Sequence, residues 1–212
     1  MGLLMAGKLI VLEGIDGTGK ASQAALLEKY LKDIGKVVSV YSYPDYNSIY
    51  GKRIKSFLYN EIKLSIDELF FLYFVDIIKD NLAVREKLAK GEFVVMDRYI
   101  FSTVAYQAAG GFDIEKAKSI VSLSGLNKPD LVLYFDMPIE VSMARKYQQK
   151  GAASIDKFEA SKKFLMLVKE NYDRLLEKNF YSNKWAKIEA GDEPKDVVFK
   201  KMLKEIEYAR IL

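Results

Sequence analysis

The chain is expected to fold as a doubly wound α/β domain, a parallel five-stranded sheet with helices on both faces and a short lid. Three observations lead there. Apolar strand-like runs alternate with helical patterns along the whole chain, an order that builds parallel sheets through crossover helices. The first apolar run ends in a glycine loop that opens directly into a helical pattern. And 212 residues suffice for one such domain, 1–212, with a substantial core, but not for two of ordinary size.

The strands are expected at Leu9–Leu12, Val37–Tyr43, Phe93–Met96, Leu131–Phe135 and Trp185–Ile188, each a short apolar or β-branched run. Long helices are expected at Lys20–Ile34, Ser65–Lys90, Phe158–Lys178 and Pro194–Ala209. Ser65-Ile66-Asp67-Glu68 has the form of a capping box, and Pro194 suits a first helical turn. Leu69–Ile78 is apolar on nearly every face, which fits a buried core helix or one whose outer face meets another subunit. Tyr147–Asp156 is polar with small residues and reads as a mobile loop; the lid is placed at about 147–157. There is no internal repeat or low-complexity tract.

Composition narrows the chemistry. The absence of cysteine excludes disulfides and thiol catalysis, and the absence of histidine removes the commonest general base. A net charge of +4, carried by 27 Lys and 6 Arg without a block of like charge, suits a lysine-rich surface or a small polyanionic substrate. It does not suggest nucleic acid or a membrane as partner. Neither a signal peptide nor a spanning helix is evident, so a cytoplasmic protein is expected.

The motif with the most chemical content is Gly14-Ile15-Asp16-Gly17-Thr18-Gly19-Lys20. A strand, a glycine loop and a helix N-terminus present successive backbone N–H groups to a polyphosphate, and the lysine adds a point charge at the β and γ phosphates. A serine or threonine commonly follows that lysine and ligates Mg²⁺. Here Ala21 follows and Ser22 comes one place later, so the hydroxyl is displaced and the metal is expected to lean on water or other groups. Asp97-Arg98 follows the third strand. A carboxylate there is placed to hold Mg²⁺ or its waters, and the arginine to fork onto a phosphate.

VVMDRYIFSTVAYQ resembles the DRY-x-x-S-x-x-AYQ signature of the thymidylate kinases, P-loop enzymes that phosphorylate dTMP to dTDP with ATP. LEGIDGTGKAS resembles that family's phosphate loop, YPDYNSIYGKRIKSFL its first substrate segment, and LNKPDLVLYFDMPIEVSMAR its fourth strand and following helix. DKFE is similar to the start of its lid helix and KIEAGDEP to its last strand and adenine-side turn. The resemblance implies that the loop from Gly14 to Ser22 binds ATP, with Arg145, Ala190 and Gly191 along the nucleotide. Asp16 would position the phosphoryl acceptor, Lys20 the donor phosphates, and Asp97 the Mg²⁺. For dTMP it implies Arg98 at the phosphate, Tyr73 stacked on thymine, and Pro44, Asp45, Ser102, Tyr106 and Gln107 lining the site. Simple core packing is the other account of Tyr73. Family members commonly form homodimers through helices of the Leu69–Ile78 region.

Three positions depart from that pattern. Ile77 stands where the family usually carries an arginine that reaches the thymine edge, and Tyr46 where an arginine commonly follows the Pro-acidic pair. Gly17 occupies a loop position that holds a catalytic arginine in some members; members with glycine use basic lid residues, for which Lys146, Lys150 and Lys157 are the candidates or else ordinary solvated lysines. The alternatives are a kinase of broader pyrimidine acceptance, a deoxynucleoside kinase, and a nucleotide-binding protein without turnover. Asn127-Lys128-Pro129-Asp130 matches the guanine-reading motif of GTPases, but it precedes a strand instead of following one.

Overall fold

The computed structural model describes residues 7–150 and 161–212. Five strands, β1 (Lys8–Glu13), β2 (Val38–Ser42), β3 (Phe93–Asp97), β4 (Leu131–Asp136) and β5 (Trp185–Glu189), form one sheet in the order β2-β3-β1-β4-β5. Every neighbouring pair is parallel, with Leu12 opposite Asp97 and Glu13 opposite Tyr134. The central strands β1, β3 and β4 are apolar along nearly their whole length because the sheet is covered on both faces there, whereas the edge strands β2 and β5 are partly exposed. In β1 the alternation divides the core: Leu9 and Val11 face one layer, Ile10 and Leu12 the other.

The first layer contains α5 (Ile100–Ala109), α6 (Ile114–Leu123) and α8 (Lys162–Glu177), packed through Val104, Val121 and Val168. The opposite layer contains α1 (Lys20–Asp33) and α9 (Lys195–Tyr208), packed through Leu27 and Met202. Strands β1 and β3 lie side by side, but their crossovers leave in opposite directions, to β2 and to β4. A crevice therefore opens beyond their carboxyl ends, where ligands of such sheets bind.

The expected strands stand within a residue or two of their observed bounds, but several helices differ. The expected helix Ser65–Lys90 is two helices, α3 (Ile66–Ile78) and α4 (Asn81–Ala89), separated at Lys79 and Asp80. The side chains at the break are held by tertiary contacts: Tyr43 Oη donates to Asp80 Oδ2 at 3.0 Å, and Lys79 Nζ pairs with both Asp76 and Asp80. The Ser65–Glu68 capping box forms as expected, each side chain meeting a backbone N–H of the other. Pro194 is the N-cap of α9, one place before the first turn. Residues 147–150 form the last turn of α7 (Ile139–Lys150), not a loop; the remainder of the expected lid, with Lys157, lies outside the described residues, as does the Lys150 side chain. One further short helix, α2 (Ile49–Leu58), is capped by Ser48, whose hydroxyl accepts from Gly51 N at 2.8 Å. Among the described residues no helix is long and apolar enough to cross a membrane.

Candidate active site

The phosphate loop runs from Gly14 to the N-terminus of α1, whose cap, Gly19, has φ +88° and no side-chain hydrogen bond. That leaves the first backbone N–H groups of α1 without a capping side chain, as an anion site requires. Lys20 folds back over the loop, donating to Ile15 O at 2.8 Å and Thr18 Oγ1 at 3.3 Å. Burial first, then the nearby Arg98 charge, pulls its ammonium down to about 8, while Asp16, Asp97 and Glu13 pull the other way. Ala21 and Ser22 lie exposed on the first turn of α1. Gly17 has φ +81°, and a Cβ there would sit 2.6 Å from Ser142 O of α7; Ser142 Oγ in turn donates to Asp16 O. Only glycine lets α7 dock so closely on the loop.

A cavity of about 350 Å³ lies beside the loop, walled by Asp16, Pro44, Tyr46, Tyr73, Ile77, Asp97, Arg98, Ser102, Thr103, Tyr106, Gln107 and Lys146. Its charged end is built around Arg98. This residue has φ +69°, a left-handed backbone that a side chain adopts at a cost of about 1–3 kcal/mol. The backbone is held by Arg98 N donating to Leu12 O at 2.9 Å, and the guanidinium by Nη1 donating to Gly14 O and Ser102 Oγ, both at 3.0 Å. Nη2 lies 2.9 Å from Asp16 Oδ1 as a close ion pair, and the guanidinium carbon stands 5.3 Å from the Tyr106 ring centre. Lys146 Nζ reaches the same Asp16 oxygen at 3.6 Å. Burial alone would raise the Asp16 carboxyl, but Arg98, Lys20 and Lys146 outweigh it and hold it well below the usual carboxylate range.

The other end is of a different character. Tyr73 and Ile77 line the cavity from α3; Tyr73 also packs against the cluster of Ile54, Leu58 and Leu69, and Ile77 is 2% exposed. Gln107 of α5 is 1% exposed, and neither its amide oxygen nor its amide nitrogen has a hydrogen-bond partner. A buried amide with both functions unspent is costly unless something else completes it. Asp45 is not brought to the wall: its carboxylate accepts from Asn47 N at 3.0 Å and pairs with Lys79 at 3.5 Å, while Asp76 Oδ2 accepts from its backbone N–H at 2.8 Å.

Asp97 ends β3 at the crevice with Oδ1 buried and without a hydrogen-bond partner. That free oxygen fits a hard cation. Among the described residues no three acidic, histidine or cysteine side chains gather to hold a metal by themselves, so a Mg²⁺ there would take its remaining ligands from phosphate and water. Arg145 donates to Gly191 O at 2.8 Å, which ties α7 to the turn after β5, and Ala190 N donates to Asp136 O at 2.8 Å, which ties that turn to the end of β4.

Sequence reading did not single out Glu13, Thr103, Ser142 or Tyr172. Glu13 is wholly buried and accepts from Tyr99 N, Ser102 N, Ser102 Oγ and Tyr172 Oη. Burial raises its carboxyl above the ordinary value, and Arg98 and these hydrogen bonds oppose the rise. A charged residue closing an otherwise apolar strand was the available signal.

The family model for thymidylate kinase matches residues 12–201. The chain is 31% identical over 169 residues to the thymidylate kinase of Schizosaccharomyces pombe, spanning 80% of this chain and 77% of that one. It is 30% identical over 192 residues to that of Plasmodium falciparum, spanning 91% and 88%. With the Arabidopsis thaliana thymidylate kinase it shares 36% identity over 141 residues, 66% of this chain but about half, 52%, of the plant protein. A solved thymidylate kinase from Candida albicans, 24% identical, superposes with a TM-score of 0.81 over 97% of this chain and 93% of its own, which shows the fold. The match over residues 12–201 takes in the loop, the strand-end Asp97-Arg98 pair and most of the cavity wall, and the chain belongs to the thymidylate kinase family.

Proposed function

We propose that the chain, as one kinase domain, transfers the γ-phosphoryl group of ATP, as its magnesium complex, to dTMP, giving dTDP and ADP. The observation that carries this reading is the two-ended cavity: a buried arginine clamp at one end and an unpartnered amide at the other, beside a phosphate loop. Such a cavity suits a molecule with one anionic end and one hydrogen-bonding ring.

In the reaction an oxygen of the dTMP phosphate attacks the γ phosphorus, and the bond from that phosphorus to the β–γ bridging oxygen breaks. Little proton chemistry is required, so a site without histidine is sufficient; positioning and charge stabilisation do the catalysis. Arg98 holds the acceptor phosphate, exchanging its Asp16 contact for it, and Asp16 then turns to the acceptor sugar. Lys20 swings from the loop carbonyl onto the donor phosphates, with Gly14–Ser22 around them. Lys146, Lys150 and Lys157 add charge from the lid side, and Arg145, Ala190 and Gly191 lie along the nucleotide. Asp97 holds Mg²⁺ directly or through water, with Ser22 as a further candidate ligand. The metal, when bound, neutralises charge that builds on the phosphate oxygens.

At the base end Tyr73 stacks on the ring, and Gln107 meets the imide edge. An amide presents donor and acceptor side by side and can turn over, so it also matches the edge of cytosine. That property, with aliphatic Ile77 in the wall, favours a second reading of broader pyrimidine acceptance. Methyl fit alone supports roughly 10–200-fold discrimination between dTMP and dUMP. An ADP-release screen over dTMP, dUMP, dCMP, dAMP and dGMP tests both readings. Turnover of dTMP above the others by roughly that margin is expected, and absence of turnover with every monophosphate overturns the kinase.

We read the protein as a cytoplasmic homodimer acting on nucleotides. Phe71 on α3 is 44% exposed and Leu82 on α4 65% exposed, which offers an apolar face for a two-fold interface of about 1,500 Å² or more. Sedimentation equilibrium at micromolar concentration should give twice the 24.2 kDa chain mass; a single species at that mass ends the dimer.

A further inference from the structure

Glu13 closes β1 one residue before the phosphate loop, in a place where a carboxylate is expensive to bury. Its bonds divide by oxygen. Oε1 accepts from Tyr99 N at 2.8 Å and Ser102 N at 3.2 Å; Oε2 accepts from Ser102 Oγ at 2.5 Å and Tyr172 Oη at 2.8 Å. Tyr99 is the N-cap of α5 and supplies no side-chain cap of its own. The opening N–H groups of a helix need acceptors and favour negative charge, and Glu13 meets that need from a neighbouring strand.

Arg98 stands immediately before this helix. Its backbone and guanidinium are held by the carbonyls of Leu12 and Gly14, the two residues that flank Glu13. Ser102, held by both Glu13 oxygens, in turn accepts from Arg98 Nη1. The second Glu13 oxygen reaches α8, the helix on the carboxyl side of the lid, through Tyr172. One carboxylate thus joins the end of β1 at the phosphate loop, the Arg98–Ser102 pair and α8.

We infer that Glu13 is a positioning residue for phosphoryl transfer: by capping α5 from β1 it sets Arg98 and Ser102 at a fixed distance from the phosphate loop. The inference rests on the kinase reading and concerns the acceptor side of it.

The test uses Glu13→Ala and Glu13→Gln in the full chain, with circular dichroism and melting as fold controls. The wild type is first run on dTMP, dUMP and dCMP, and the acceptor it uses best is the probe. Glu13→Ala should lower kcat/KM for that acceptor about fiftyfold while KM for ATP stays within about threefold, the split expected when only one substrate's contacts are displaced. Glu13→Gln keeps the acceptor atom facing Tyr99 and Ser102, and its loss should be about fivefold or less when the alanine variant folds. If alanine prevents folding, the glutamine variant decides: an acceptor-selective loss of more than about twofold supports the role. The inference is overturned by a folded alanine variant with unchanged acceptor kcat/KM, by parallel rises of both KM values, or by an unchanged glutamine variant where alanine does not fold. A wild type that prefers dUMP or dCMP corrects only the specificity and leaves this test intact. A wild type inactive on every monophosphate overturns both readings.

Discussion

The two ends of the cavity solve opposite problems. At the charged end Arg98 and Lys146 meet Asp16 at short range, and the buried Glu13 stands behind them, linked to Arg98 through Ser102. At the apolar end the wall is Tyr73, Ile77 and Leu58, and the buried amide of Gln107 has both of its functions unspent. A preorganised cluster of charge binds a phosphate strongly because little has to move when the anion replaces an internal partner. An apolar wall with one amide recognises mainly by shape, which yields smaller differences between similar ligands. Affinity and rate are therefore expected from one end, selectivity from the other.

The harshest way to break that contrast is to remove the clamp. Arg98→Ala should lower kcat/KM for dTMP at least about a hundredfold, a loss of ~3 kcal/mol, and Lys20→Ala should do the same for ATP. Both variants should still fold, and near-wild-type turnover in a coupled ADP assay would remove the role assigned to that residue. At the base end Gln107→Leu should raise KM for dTMP by roughly thirtyfold, about 2 kcal/mol, with kcat nearly unchanged. Equal losses in kcat would move Gln107 to the chemical end.

Titration offers a finer probe of the charged end. Lys20 carries its proton below about pH 8 and loses it above, because burial and then Arg98 depress it from 10.5. Phosphate binding needs the charged form, so kcat/KM for ATP should fall as pH rises through 8, by about tenfold per unit at higher pH. A flat profile from pH 7 to 9.5 would refute the depressed lysine. The mildest change, Ile77→Val, takes one methylene from the base wall and should narrow the preference for dTMP over dUMP by about three- to tenfold. Competition between the two monophosphates reads that ratio directly, and no change would place the 5-methyl elsewhere.

The loop and the sheet could be read from the sequence because their signals are local. A glycine spacing, an apolar run and a lysine sit side by side, and Asp97-Arg98 falls at the end of the third such run. The contacts that complete the site are distant in sequence. Glu13 meets Ser102 and Tyr172, 89 and 159 residues away, and no periodicity connects them. The helix break at Lys79 and Asp80 shows the same limit: no proline or glycine marks it, and the acidic cluster there is held by Tyr43 from another element. Asp45 beside Pro44 suggested a wall residue, but Lys79 at the break after α3 pairs with its carboxylate.

The bare carbon at Gly17 restricts how the site could be remade. With Ser142 O 2.6 Å from where a first side-chain atom would go, and φ at +81°, an arginine installed there has to pry α7 off the loop before its charge can reach a nucleotide. Gly17→Arg would therefore act as a wedge, not as a graft of new catalytic power. Cationic help at that corner comes instead from α7 itself, whose Lys146 already reaches the loop at Asp16.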